Sequence, residues 1–186
     1  MRVIAGSLKG KKLAPLSGLA IRPTADRVRE AIFNICAAHI SDATILDLFS
    51  GTGAFSIESL SRGAGSAVAI DSSVRATAVI QKNITACRLN EQVKIIKWDI
   101  VNNLNCLRGV SHRFDLVFMD PPYNKNAVRP ALENLAACGA LADEALIIVE
   151  HAPAESIPGD LSGFELIDQR KYGKTLVSFI TGVINI

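Results

Sequence analysis

Several signals that would classify a chain at once are missing from this one. Its four cysteines, Cys36, Cys87, Cys106 and Cys138, are scattered without a Cys-x-x-Cys pair, which argues against a disulfide framework or a zinc site and for reduced thiols. The three histidines, His39, His112 and His151, stand far apart and complete no metal-ligand set with the cysteines. Each suits a surface or helix-end position, with His151 close enough to a strand end to border a site. No apolar run approaches the 18 or more residues of a membrane span. The first nine residues are broken by Arg2, Ser7 and Lys9, too early for a secretion signal. Internal repeats and low-complexity segments are absent. The net charge of +2 and the pI near 8.4 are too modest to mark a nucleic-acid binder by themselves. The expectation is a cytoplasmic, metal-free protein with no membrane association and a monomeric state.

What is present is an alternating pattern of strands and helices. The 186 residues, 49% of them hydrophobic, are enough for one domain, 1–186, with a sizeable core. A mean hydropathy of +0.27 suits a sheet buried on both faces. Residues 1–20 read as a short hairpin arm punctuated by Gly6, Gly10 and Gly18, with Pro15 limiting its pairing. Residues 24–39 read as a helix with Thr24 as N-cap. Its apolar stripe is Val28, Ala31, Ile32, Ile35 and Cys36. Strands and helices then alternate, and 164–184 form two strand-like runs split near Tyr172 and Gly173, a closing hairpin. The fold class is α/β, doubly wound and mostly parallel, with an antiparallel C-terminal strand.

The chemistry concentrates at strand ends. The apolar run 114–119 leads into Asp120, Pro121, Pro122 and Tyr123. In open α/β sheets, ligands bind at the carboxyl ends of strands. Two prolines stiffen this loop and remove two N–H donors. A carboxylate, an exposed carbonyl and an aromatic face held together suit a planar ring with an exocyclic amino group, which donates twice and stacks once. A Pro-Pro turn with a capping Asp and a surface Tyr is the plainer alternative, and context decides between them.

Upstream, the run 44–49 carries Asp47 and ends in Ser50-Gly51-Thr52-Gly53-Ala54-Phe55, followed by an amphipathic stretch. A dinucleotide fingerprint is opposed by Ser56 in the third glycine position and by Asp47, which would repel a pyrophosphate. A cofactor with an amino acid and a sulfonium would accept that carboxylate and use the glycines for close approach. S-adenosylmethionine fits. Asp71, about 20 residues after the glycine turn, has the spacing of a ribose-hydroxyl ligand. The next strand run, 93–97, leads to Trp98 and Asp99, placed to receive the adenine amino group.

In this order the motifs resemble Rossmann-like methyltransferases that modify exocyclic amino groups. Arg2 to Gly6, Lys9 to Leu13, Arg22-Pro23-Thr24, Asp26 to Glu30 and Phe33-Asn34 resemble the RsmD family, as do the stretch from Glu58 to Ala64 and Tyr172-Gly173-Lys174-Thr175. Ser50, Thr52 and Asp71 stand where that family favours Ala, Ser and Glu. The resemblance implies a seven-stranded Rossmann-like sheet and methylation of guanine N2 in bacterial small-subunit ribosomal RNA, within an assembled or partly assembled particle. It implies S-adenosylmethionine held by Arg22, Thr24, Asp47, Phe49, Gly51, Gly53, Asp71, Ser72, Trp98, Asp99 and Asp120, with Asp120, Pro121, Pro122 and Tyr123 at the reacting base.

Charge adds a weaker line. Residues 1–30 hold Arg2, Lys9, Lys11, Lys12, Arg22, Arg27 and Arg29 against Asp26 and Glu30. Such a cluster tracks phosphates, and Arg22, Arg27 and Arg29 lie outside the helical stripe, available to RNA. Residues 1–40 are therefore read as RNA-contacting and 41–186 as the catalytic core. The alternatives are a DNA adenine methyltransferase, a protein-glutamine methyltransferase (which prefers Asn at 120), a non-catalytic RNA chaperone and a nicotinamide oxidoreductase. The first lacks room for a target-recognition domain between Gly53 and Asp120. The chaperone leaves the placed acids and glycine turn without a purpose.

Overall fold

Burial of apolar strands on both faces organises this chain. The computed structural model describes residues 1–16, 23–110, 113–155, 157, 159 and 163–182. The side chains of residues 23–25 also lie outside the description. Seven strands are β1 (Thr44–Leu48), β2 (Ser66–Asp71), β3 (Val93–Lys97), β4 (Phe114–Met119), β5 (Leu141–His151), β6 (Phe164–Tyr172) and β7 (Thr175–Gly182). They form one sheet in the order β3-β2-β1-β4-β5-β7-β6. The pairs from β3 to β5 are parallel, and β7 runs antiparallel between β5 and β6. This is the expected Rossmann-like α/β architecture with its antiparallel C-terminal hairpin.

Alternation along the strands divides the core. Ile45, Ala67, Ala69, Leu116, Phe118 and Ile148 face one side, under α1 (Pro23–Ile35), α2 (Ala54–Ser61) and α3 (Val74–Cys87). Leu46, Leu48, Ile70, Val117, Met119 and Val149 face the other, under α4 (Val128–Ala137) and the loop carrying Ile100, Leu104 and Leu107. No helix of the described residues is long and apolar enough to cross a membrane.

Chain order reverses between β1 and β4, so their carboxyl ends open the crevice where such sheets bind ligands. Two expectations shift at the amino end. The first helix begins at Pro23, a residue whose fixed φ and missing N–H suit that position, so Thr24 is helical rather than capping. The helix ends at Ile35, and a separate 3-10 turn covers Ala37–His39, where the Cys36 backbone tightens to φ −88 and ψ 14.

Over the described residues 1–16 the expected hairpin arm is present and is tied down, while the rest of it, Gly18 included, lies outside the described residues. Arg2 pairs antiparallel with Lys12, and Val3 and Leu13 enter the core. Glu58 of α2, only 1% exposed, accepts from the backbone N–H groups of Ile4 at 2.7 Å and Ala5 at 2.9 Å. Ser61 Oγ accepts from Leu8 N–H and donates to the Ala5 carbonyl. Gly6 has φ +79, and a Cβ there would lie 1.7 Å from the Ser61 carbonyl oxygen. Only glycine permits this approach. On α3, Asn83 bonds both the N–H and the carbonyl of Ala14 and donates to the Thr52 carbonyl. The arm thereby abuts the glycine turn.

Candidate active site

Asp47 is placed by β1 and held by the turn that follows it. Its Oδ2 accepts from Ser50 Oγ at 2.8 Å, Ser56 Oγ at 2.7 Å and Ser56 N–H at 3.1 Å. Ser56, read from sequence only as a missing glycine, thus anchors the acid from inside α2. All three bonds fall on Oδ2, leaving Oδ1 for a ligand. Burial pushes the carboxyl up to about 6; the bonds from Ser56 and Ser50 oppose that shift, and Asp71 adds to it.

The turn itself is shaped by positive φ. Gly53 caps α2 at φ +76, where a Cβ would press within 3.2 Å of Ile80. Phe49, a non-glycine, is held at φ +59, a strained conformation of the kind found at ligand sites. Asp71 accepts from the Gly51 N–H at 2.9 Å and from the Ser73 N–H at 2.9 Å, one bond on each oxygen. It therefore braces the turn and keeps lone pairs for a ligand.

Next to it, a cavity of about 460 Å³ is lined by Ser72, Lys97, Trp98, Asp99 and Asn102. Three of those residues, Ser72, Trp98 and Asp99, were expected from sequence. Asn103 orients the indole, accepting from Trp98 Nε1 through its carbonyl at 2.9 Å. Asp99 accepts from the Val101 N–H, one oxygen remaining free. Arg22 lies outside the described residues, and so does the Thr24 side chain.

Across the crevice, Asp120 follows β4 with its N–H directed at the Leu48 carbonyl, 3.4 Å away. Pro121 is buried and Pro122 exposed. The Asp120 carboxyl opens on the crevice and makes no hydrogen bond to a described residue. Protein backs it from behind, so burial, then Glu150 and Asp47, push the carboxyl well above the usual carboxylate range. Water at the open face screens part of this repulsion, and a ligand lying across it would expel that water.

Two residues in this corner were not foreseen. Tyr123 donates its hydroxyl to Glu150 Oε1 at 2.7 Å and shares a 2.9 Å bond with Thr175 Oγ1. The ring is thus fixed by the ends of β5 and β7. Burial raises both the Tyr123 hydroxyl and the Glu150 carboxyl. Pairing of β4 with β5 could have suggested Glu150, since it lies one residue past Val149, the register partner of Met119.

His151 does not border this site. It is fully buried, with Nε2 2.8 Å from Ser178 Oγ and Nδ1 3.1 Å from the Ala152 carbonyl. His112 lies outside the described residues. All four cysteine thiols are raised by burial, Cys36 to about 12, so none is activated as a nucleophile.

Of the expected RNA contacts, Lys9, Lys11, Lys12 and Arg27 are exposed. Arg29 is a correction: it is 4% exposed. The arm covers it, and its guanidinium donates to the Arg2 carbonyl at 2.7 Å and pairs with Asp26 at 3.2 Å. It is structural.

A family model described as Conserved hypothetical protein 95 matches residues 1–181. Ribosomal RNA small subunit methyltransferase D of Escherichia coli K12 is 35% identical over 158 residues, 85% of this chain and 78% of that one. YlbH of Bacillus subtilis is 30% identical over 178 residues, 96% of this chain and 97% of that one. The solved structure of yhhF from Escherichia coli aligns with a TM-score of 0.85 at 31% identity, covering 98% of this chain and 97% of that chain.

Proposed function

Because the chain belongs to the Conserved hypothetical protein 95 family of RsmD-type methyltransferases, we propose that it transfers a methyl group from S-adenosylmethionine to a guanine N2 in small-subunit ribosomal RNA. The observation that carries this reading is the Asp120 carboxyl, without a hydrogen-bond partner among the described residues, facing the crevice beside an anchored Tyr123 and across from the Asp47–Gly53 turn. An acceptor and an aromatic face fixed together suit a flipped-out base with an exocyclic amino group.

The cofactor fits the residues present. Asp47 Oδ1 suits its ammonium, the Gly51 backbone approaches closely, Asp71 suits ribose hydroxyls, and the cavity at Trp98 and Asp99 suits a purine. Bound there, it would supply a methyl group from its sulfonium, leaving as the neutral thioether, and Asp120 or water would take the proton that the amino nitrogen gives up. Asp120 and the Pro121 carbonyl accept from the two N–H groups and draw electron density onto nitrogen. Such positioning supplies roughly 7–11 kcal/mol. Stacking on Tyr123 contributes about 1–3 kcal/mol, offsetting much of the energy of flipping the base.

The reading extends to the whole chain. Residues 1–186 act as one monomeric unit, with Lys9, Lys11, Lys12 and Arg27 tracking phosphates, and selectivity coming from the shape of an assembled or partly assembled small subunit. The test uses labelled S-adenosylmethionine with small subunits from cells lacking this enzyme, with naked RNA and duplex DNA alongside. N2-methylguanosine from the particle, mapped to its nucleotide, is the expected product. Label in DNA adenine, or none anywhere, would overturn the reading.

Cofactor affinity should depend on pH through Asp47. With its carboxyl near 6 in the fold, the group takes up a proton below that pH and loses its attraction for an ammonium. Calorimetric titration should show affinity weakening by a slope approaching tenfold per pH unit below about 6. In Asp47→Asn the profile should be flat over the same range. An unchanged slope in that variant would remove Asp47 from the ammonium site.

A further inference from the structure

Glu150 is an ionisable group that meets Tyr123 at this corner and that the reaction above leaves without a part. It sits at the end of β5, one residue past the Met119–Val149 register pair, while Asp120 sits one residue past it on β4. Adjacent strands lie about 4.8 Å apart, so two carboxylates stand side by side at the crevice. They share the sheet face defined by Phe118 and Ile148. Glu150 Oε1 is engaged by the Tyr123 hydroxyl at 2.7 Å. Oε2 makes no hydrogen bond to a described residue.

The base edge that this pair fits is narrowly defined. A guanine presents two neighbouring donors there, the ring N1–H and the 2-amino group. An adenine presents its amino group beside N1, a lone pair that a second carboxylate repels. Resting on the guanine reading above, we propose that Glu150 selects guanine, its Oε2 accepting the ring N1–H while Asp120 accepts from the amino group. Burial first and the Glu150 charge second raise the Asp120 carboxyl, and two donors placed against the pair offset the repulsion between them. Glu150 thus has two jobs on two oxygens: Oε1 fixes the stacking ring and Oε2 reads the base.

The test compares guanine with 2-aminopurine, which keeps the 2-amino group but carries a lone pair at N1. Small subunits are reconstituted on ligated RNA holding either base at the mapped nucleotide. Wild-type enzyme should favour guanine by at least roughly 100-fold in kcat/KM, since a site built to bond a donor rejects the analogue lacking it. In Glu150→Gln the amide oxygen still accepts from Tyr123 while its NH2 turns toward N1, and the preference should fall below about tenfold. Tyr123→Phe loses both hydroxyl contacts but keeps Glu150, so both rates should drop and their ratio should hold. Equal wild-type rates on the two bases, or an unchanged ratio in Glu150→Gln, would overturn the role of Glu150 and leave the methylation reading standing. No N2-methylguanosine from wild type on the guanine particle would remove both.

Discussion

Asp120→Ala should lower turnover by roughly 10²–10⁴-fold while leaving cofactor affinity within about twofold of wild type. The carboxyl makes no hydrogen bond inside the described fold, so its removal breaks no internal contact. It faces Glu150 and Asp47, and burial and these like charges hold it above the usual carboxylate range. A carboxyl whose folded value is raised costs stability when it ionises in the fold. That loss sets in as pH rises above the ordinary carboxylate range and is complete above the raised folded value. Asp120 is exposed on its crevice side, so water screens part of this loss, and Asp120→Asn should match wild type in stability near pH 4 and exceed it only slightly near pH 8. Activity and stability move in opposite directions, the mark of a group retained for chemistry. Single-turnover rates with labelled cofactor, calorimetric binding and thermal melts at the two pH values check all three parts. Turnover within about threefold of wild type, with cofactor bound normally, would strip Asp120 of its role.

The acids, the glycine turn and the aromatic loop could be read from the chain because each lies at the end of an apolar run. Burial fixes the strand, and the strand fixes where the next polar residue emerges. Register then brings Asp47 and Asp120 to one crevice, since β1 and β4 are neighbours. What local pattern could not show was who holds each group. Ser56 bonds Asp47 from a position that looks only like a defective glycine motif. Glu150 meets Tyr123 across 27 residues and Thr175 meets it across 52. Asn83 reaches Ala14 across 69. Arg29 illustrates the limit of helical periodicity. It falls off the stripe of Val28 and Ile32 and so reads as exposed, yet the folded-back arm buries it through the Arg2 carbonyl. A helix wheel cannot see a second layer.

That second layer gives Glu58 a large structural role. Its carboxylate holds Ile4 and Ala5 by their backbone N–H groups and pairs with Arg62 Nε at 2.8 Å. Arg62 in turn lies 4.8 Å over the Phe33 ring, which packs against Phe55 and Phe118. Glu58→Ala would leave two backbone donors and a guanidinium facing an empty, largely buried space. Breaking a buried pair in this way costs roughly 3–5 kcal/mol. For a chain of this size the melting temperature should fall by on the order of 10 °C. Gly6→Ala attacks the same joint from the other side, because its Cβ would overlap the Ser61 carbonyl unless the arm moves away. It leaves Glu58 and Arg62 in place, so its thermal effect should be smaller. Its effect on substrate should be large, because Lys9, Lys11 and Lys12 follow on the displaced arm. Cofactor affinity of Gly6→Ala should stay near wild type, while KM for the proposed particle substrate rises and its salt dependence flattens as the proposed phosphate contacts are lost. Unchanged KM and salt slope in a variant whose arm has become accessible to protease would show that the arm only braces α2. Retained protection of the arm in both variants would mean that its anchorage lies beyond Glu58 and Gly6, at Val3, Leu13 and Asn83.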